Sequence, residues 1–284
     1  MQPRIDTLID LALDEDAAFG DLTAQSIFPA DHTSTAQIIA RQDMVICGLE
    51  VAKSVFLRLD PDMKISTTAK DGDRVASGAV VMHAEGLTIA LLTAERTALN
   101  FMQRLSGIAT LSRRFADAAA QTGTGVRIVD TRKTTPGWRA LEKYAVRCGG
   151  CFNHRSSLGE HVLIKENHIA AAGSLKNAVR LARESAPHCA KIEVETESLE
   201  DVRQALEAKA EVIMLDNMQP AQVKQAVALI DKAAIVEISG GIGLERVADY
   251  ALAGADVISV GALTHSAPAA DFSMLIPLQR AEKN

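Results

Sequence analysis

Apolar residues at Ile5, Leu8, Ile9, Leu11 and Leu13 recur at a spacing that predicts a first helix. The next stretch switches to short alternating runs such as TAQIIA and GAVVMHAEG. Turn residues in AKDGD and VASG separate these runs, which predicts a β-meander. TIALLTAERTALNFMQRLSGIATLSRRFADAAAQTG returns to a helical pattern, with a break expected near Ser106-Gly107. Beyond it the pattern changes again. Six short apolar runs follow (VRIVDT, HVLIK, KIEVE, VIMLD, IVEIS and VISVG), ending near positions 131, 165, 195, 216, 239 and 261. Amphipathic segments such as SLEDVRQALEAKA and QPAQVKQAVALIDKA lie between the later runs. Strand–helix alternation at this interval builds a parallel sheet with crossover helices.

A doubly wound sheet and a closed barrel both satisfy that pattern. Each run ends in a polar residue or glycine: Thr131, Lys165, Glu195, Asp216, Ser239 and Gly261. In a barrel such ends gather at one rim, where barrel active sites sit. The GxGxxG fingerprint of a dinucleotide fold follows none of the runs. The expected fold is therefore α/β. It has an N-terminal mixed α/β sandwich domain over residues 1–107 and a TIM-like α/β barrel of six or seven parallel strands over 108–267. A C-terminal helix at 268–284 is expected to pack back on the first domain.

The chain is 48% apolar and 23% charged, a globular composition with length for one large or two ordinary domains. No stretch approaches the roughly 18 uninterrupted apolar residues of a membrane helix. MQPRIDTLIDLALDED lacks the basic-then-apolar order of a secretory signal, so a cytoplasmic location is expected. The net charge of −6 argues against a general nucleic-acid surface. Four cysteines in 284 residues do not make a disulfide framework. Cys148 and Cys151 form a CxxC with His154 nearby. The Gly-Gly between them predicts a tight loop of small residues rather than a redox pair or zinc site.

Against that acidic background, residues 127–155 hold seven Lys/Arg and only two acids, Asp130 and Glu142. In VRIVDTRK, a period of two puts Asp130 and Arg132 on one face, with Thr131 and Lys133 on the other. Thr135-Pro136 reads as an N-cap followed by proline at the first helical position. Arg139, Lys143 and Arg147 then fall at i, i+4 and i+8, a stripe expected to be solvated. Arg132 and Lys133 instead sit where a strand stops, and Lys165 closes HVLIK. Arg132, Arg155 and Lys165, with His154, would present several donors to an anion, and the arginine fork matches carboxylates. Glu195 and Asp216 end successive strands; a carboxylate pair beside a cationic pocket suits Mg²⁺ with waters and ligand oxygens. Glu193, one layer deeper, reads as a buried partner for a rim cation. SGGIG (239–243) and VGALTHS (260–266) each open toward a helix N-terminus, where free N–H groups bind phosphate.

Together these stretches resemble the quinolinate phosphoribosyltransferase family. The resemblance is carried by FGDLT (19–23), ERTALNFMQRLSGIAT (95–110), DTRKTTPGWRALEKYAVRCGG (130–150) and NHR (153–155). IKENHI (164–169), IEVE (192–195), IMLDN (213–217), SGGI (239–242) and DVISVGALTHSAP (256–268) complete it. It implies that quinolinate and phosphoribosyl pyrophosphate give nicotinate mononucleotide, pyrophosphate and CO₂, with Mg²⁺, in NAD biosynthesis. It further implies that Arg132, His154, Arg155 and Lys165 bind the carboxylates of quinolinate and that Lys133 approaches the phosphoribosyl group. Glu195 and Asp216 would lie near ribose and metal. Ser239, Gly240 and Gly261 would belong to the loops around the 5′-phosphate, and Gly241 and His265 would also bind substrate. Arg96 would enter the neighbouring subunit's site, which implies a homodimer. The family pattern GGG before xNHR is Gly149-Gly150-Cys151 here, and KDNH is Lys165-Glu166-Asn167-His168; both leave the charge pattern intact.

Three other readings fit parts of the rim. A Schiff-base aldolase would use Lys165, but the Arg132/Arg155 cluster speaks against it. A related molybdenum-transport-type transferase is disfavoured by NHR and IKENHI. A phosphate- or nucleic-acid-binding module is disfavoured by the acidic balance and the rim carboxylates.

Overall fold

The chain divides into two compact units in the computed structural model, which describes residues 3–277. The first takes the chain to Leu111 and returns at Ala267; the second runs Ser112–Ser266.

The first unit opens with α1 (Pro3–Ala17) and α2 (Leu22–Ile27), the latter capped by Asp21, whose side chain accepts the Ala24 N–H. Then come β1 (Thr33–Ala40), β2 (Met44–Val45), α3 (Leu49–Leu59), β3 (Lys64–Thr67), β4 (Arg74–Val75) and β5 (Val80–Leu87). The main sheet is antiparallel, in the order Phe272–Leu275, β1, β5, β3, while β2 and β4 pair separately. Val51, Ala52, Val55 and Phe56 bury the inner face of α3. Arg58 on its last turn bonds Asp6 and Asp10 of α1.

Two expectations fail here. A strand, not a helix, follows residue 267: Phe272–Leu275 pairs antiparallel with β1, and residues from 278 onward lie outside the described ones. Its alternation of buried Phe272 and Met274 with less buried neighbours is strand spacing. The break near Ser106-Gly107 is also absent. Helix α4 runs unbroken over Thr88–Ala120. Ser106 is a packing residue whose hydroxyl bonds the backbone of buried Cys47. Gly107 lets the returning chain pass, since a Cβ there would lie 2.1 Å from the Pro268 carbonyl oxygen. Close approach, not helix ending, is the reason for this glycine.

The second unit is the parallel one. Its strands are β6 (Arg127–Val129), β7 (Val162–Ile164), β8 (Ile192–Thr196), β9 (Val212–Asp216), β10 (Ile235–Ser239) and β11 (Val257–Ser259). They interleave with α5 (Arg139–Cys148), α6 (Glu166–Ala172), α7 (Leu175–Ser185), α8 (Leu199–Glu207), α9 (Pro220–Ile230) and α10 (Val247–Leu252), then the single turn α11 (Ala262–His265). The order β6-β11-β10-β9-β8-β7 is chain order read around a ring, with β6 and β7 as the two unjoined ends. A single parallel bridge, Val129 to Phe152, extends from the β6 side. This is a TIM-like six-stranded barrel. Ile128, Ile164, Val194, Ile213, Leu215, Val236 and Ile238, all buried, alternate with the inward-facing strand residues and form the apolar layer between the barrel and its helices.

Candidate active site

The carboxyl ends of the barrel strands surround a cavity of about 380 Å³. Thr131, Arg132, Lys133, His154, Arg155, Lys165, Glu195, Asp216 and Ser239 line it, together with Leu163, Met214, Glu237 and Ser259. Register explains the gathering. Ile164 pairs with Val194, so Lys165 stands beside Glu195; Asp216 pairs directly with Ser239. Glu195 pairs with Met214, which places Asp216 one step further along the same face.

One wall is cationic. Strand β6 ends at Val129, two residues before the rim, so the alternation expected for 130–133 does not continue. Instead Lys133 N–H donates to Thr131 Oγ1 at 3.0 Å and Thr134 N–H to the Arg132 carbonyl at 2.9 Å. This turn sends Arg132 and Lys133 into the same cavity. Arg132 Nε is buried without a hydrogen-bond partner. Burial, then the nearby Arg132 charge, lowers the Arg155 pKa below the usual guanidinium range. Two guanidiniums in mutual repulsion, one with an unused buried donor, make a site for an anion. Lys165 pairs with Glu195, and its position is fixed by His168, whose Nδ1 accepts the Lys165 N–H at 3.0 Å.

A buried network supports that wall. Asp130, fully buried, accepts from Lys143 Nζ at 2.5 Å, from Asn153 at 2.6 Å and from His154 N–H at 2.9 Å. Lys143 Nζ also donates to the His154 carbonyl at 2.8 Å. Burial still holds the Asp130 pKa above its usual value. Lys143 is therefore no part of a solvated stripe; it is 5% exposed. The helix start also differs from expectation. The N-cap is Trp138, and the Thr135 hydroxyl and N–H both donate to buried Glu142. An acceptor seven residues away outcompetes the local cap.

The other wall carries carboxylates and the glycine loops. Glu195 accepts from Lys165, and Asp216 accepts from Asn217 Nδ2 at 2.6 Å. Gly240 has φ +102°, and a Cβ there would lie 2.3 Å from Asn217 Oδ1, so only glycine fits this turn. A Cβ at Gly261 would approach Lys133 Cδ and the His265 ring at 3.1 and 3.2 Å. Thr264 Oγ1 donates to the Lys133 carbonyl at 2.7 Å, tying the last loop to the first. Gly240, Gly241, Gly261 and His265 thus stand beside the lining residues Ser239, Ser259 and Lys133 rather than in the lining itself.

Glu193 is the buried partner its spacing predicts, facing the rings of His154 and His161, whereas Glu237 joins them unpredicted. Glu193 is 2% exposed, with His161 Nε2 at 3.0 Å and His154 Nε2 at 3.5 Å. Burial pushes its carboxyl up, but the two histidines outweigh this and hold it down at about 2. Glu237 is 4% exposed and 3.3 Å from His154 Nε2, and burial raises its pKa. The signal was available: Glu237 stands in IVEIS as Glu193 stands in KIEVE, two residues before a rim residue. Arg96 is exposed on α4 in the first unit and does not line the cavity. Cys151 is buried, its thiol donates to the Ser112 carbonyl at 3.1 Å, and burial pushes its pKa up to about 12. That favours the structural reading of the CGGC loop.

Fold and site together define a barrel enzyme acting on anionic small molecules, with cations, carboxylates and glycine loops around one rim cavity. The chain belongs to the quinolinate phosphoribosyltransferase family, whose C-terminal domain matches residues 108–275 and whose N-terminal domain matches residues 21–106. It is similar to the probable nicotinate-nucleotide pyrophosphorylase (carboxylating) of Bacillus subtilis, 44% identical over 264 residues, covering 93% of this chain and 90% of that one. The nicotinate-nucleotide pyrophosphorylase (carboxylating) of Mycobacterium leprae is 43% identical over 272 residues, covering 93% and 94%. The solved structure of the nicotinate-nucleotide pyrophosphorylase from Francisella tularensis matches with a TM-score of 0.92 at 39% identity, covering 96% of each chain. The chain is therefore a phosphoribosyltransferase, and the family's reaction belongs to de novo NAD synthesis. Among the described residues, no helix is long and apolar enough to cross a membrane.

Proposed function

We propose that the rim cavity joins quinolinate to phosphoribosyl pyrophosphate, leaving nicotinate mononucleotide and releasing pyrophosphate and CO₂. Arg132, Arg155 and Lys165 take the carboxylates of the ring diacid. Lys133 meets the phosphoribosyl group, and Ser239, Gly240, Gly241, Gly261 and His265 surround the 5′-phosphate. The observation that carries this reading is the buried, partnerless Arg132 Nε on the same wall as Arg155 and Lys165.

The pyridine nitrogen attacks ribose C1 as the bond to pyrophosphate breaks. Positive charge developing at C1 faces Glu195 and Asp216 across the cavity. The ring nitrogen, now cationic, accepts the electron pair left when the 2-carboxylate departs as CO₂, and a proton replaces it at C2. A cation that grips the departing carboxylate too tightly opposes its loss. Lys165 already shares its charge with Glu195, which moderates that grip.

Mg²⁺ belongs to the same reading. Glu195 and Asp216 are hard oxygen donors on neighbouring strands of one cavity, the donor set this ion accepts beside waters and phosphate oxygens. Bound there, it supplies charge neutralisation for the leaving pyrophosphate. A homodimer is also part of it: Arg96, exposed on α4 and outside this cavity, would serve a second copy's site. Unbridged thiols at Cys151 and Cys189 support a cytoplasmic setting.

The test is CO₂ release from quinolinate. It should require both phosphoribosyl pyrophosphate and Mg²⁺. No release with all three present would refute the assignment.

A further inference from the structure

His154 has no ring nitrogen left for a substrate. Its Nδ1 accepts the Arg155 backbone N–H at 2.8 Å. Its Nε2 faces two buried carboxylates, Glu237 at 3.3 Å and Glu193 at 3.5 Å. We propose that His154 is a strut rather than a donor to quinolinate, and that Glu237 is the positioning residue that holds it. This rests on the quinolinate reading above.

The tautomer follows from the contacts. Burial lowers the ring's pKa, but Glu193 and Glu237 outweigh it and push it up to about 9. The Arg155 N–H pointing at Nδ1 nevertheless requires an acceptor there, and a ring with one acceptor nitrogen is the neutral one. The ring proton then sits on Nε2, between the two glutamates. Glu193 has a second donor in His161 Nε2, at 3.0 Å. Glu237 Oε1 is buried with no aligned hydrogen bond, so the His154 proton is the donor nearest to it. The ring therefore links Glu237 on β10 to the main chain of Arg155. The Arg155 guanidinium in turn donates to the His161 carbonyl at 3.0 Å and lines the cavity. Glu237 thus acts on the substrate's carboxylate through His154 and Arg155.

His154, His161 and Glu193 lie close enough together to be three ligands of a cation. The Arg155 N–H argues against it. A metal on Nε2 leaves the proton of a neutral ring on Nδ1, where donor would face donor.

Steady-state kinetics of Glu237→Leu and Glu237→Gln in the full-length enzyme test the proposal. Glu237→Leu should raise the quinolinate KM roughly tenfold, as expected when the carboxylate facing the His154 ring is lost and Arg155 is no longer held in place. The KM for phosphoribosyl pyrophosphate should stay within about twofold. Glu237→Gln keeps an acceptor oxygen and should recover most of the loss. No change, or equal losses for both substrates, would overturn the proposal. A measurement on the wild type covers the case in which Glu237→Leu fails to fold. In protein labelled with ¹⁵N-histidine, the His154 signals are assigned by their loss in His154→Gln. They should keep an acceptor Nδ1 and a protonated Nε2 when quinolinate is added. A shift of either nitrogen to a new partner would overturn the proposal. Wild type that releases no CO₂ would instead refute the underlying reaction, before any variant is compared.

Discussion

Arg132, in the turn after β6, and Lys165, just past the end of β7, line one cavity, and each is unlike a packing residue for its own reason. Arg132 has a buried donor without a partner; Lys165 is the cation of a rim ion pair. Replacing either with alanine should reduce turnover by roughly a hundredfold or more. Circular dichroism and thermal melting should show a folded protein, and a near-normal rate would remove that residue from the site. Cys151 gives the opposite kind of prediction. Burial favours its thiol, with a pKa of about 12, so at pH 8 almost none of it is thiolate. Iodoacetamide should label exposed Cys189 and leave Cys151 untouched until the protein unfolds, which mass spectrometry reads directly. Rapid labelling of Cys151 in the folded enzyme would return it to the list of functional thiols. The rim charges were legible in sequence because an ionic residue ending an apolar strand is poorly explained by packing. Glu237 was overlooked because it lies inside its strand, where the period of two marks a buried position and says nothing of what meets it there.

At the scale of elements, helix α5 shows what periodicity cannot resolve. Arg139, Lys143 and Arg147 share one spacing, yet Lys143 is buried against Asp130 while Arg147 is exposed over the Phe152 ring. The need for Lys143 comes from a carboxylate 13 residues earlier, which no local pattern contains. Lys143→Met should therefore cost about 3 kcal/mol by leaving a buried charge uncompensated. Arg147→Met should stay within about 0.5 kcal/mol, as exposed sites do. Urea midpoints of the two variants measure this contrast, and equal effects would contradict it. Gly240 makes the same point for loops. Its φ of +102° and the 2.3 Å approach to Asn217 leave no room for a side chain. Gly240→Ala should cost about 1–3 kcal/mol in stability and raise the KM for phosphoribosyl pyrophosphate. Neither the unbroken course of α4 nor the strand at Phe272–Leu275 could be read locally. One depends on chain passing Gly107, the other on pairing with β1 more than 200 residues away.

At the scale of the whole molecule, the parallel barrel was readable because its strands are closely spaced and repeat one grammar. Each apolar run leads into a polar residue or glycine, so most of the rim was legible in the sequence. What sequence spacing could not supply was Arg96, which belongs to a different unit and does not line the cavity. Mixing Arg96→Ala with Lys165→Ala subunits should restore part of the activity, since one site of each mixed dimer would be intact. No recovery in verified mixed dimers would show that sites are not shared.

The central claim is that separate strands converge to trap a ring diacid. Calorimetric titration of the enzyme with quinolinate and with nicotinate, which has a single carboxylate, tests it most directly. Quinolinate should bind at one site per chain and at least roughly tenfold more tightly than nicotinate, the difference lost when Arg132 is replaced by alanine. Equal affinities for the two acids, or a preference unaffected by Arg132→Ala, would contradict the account.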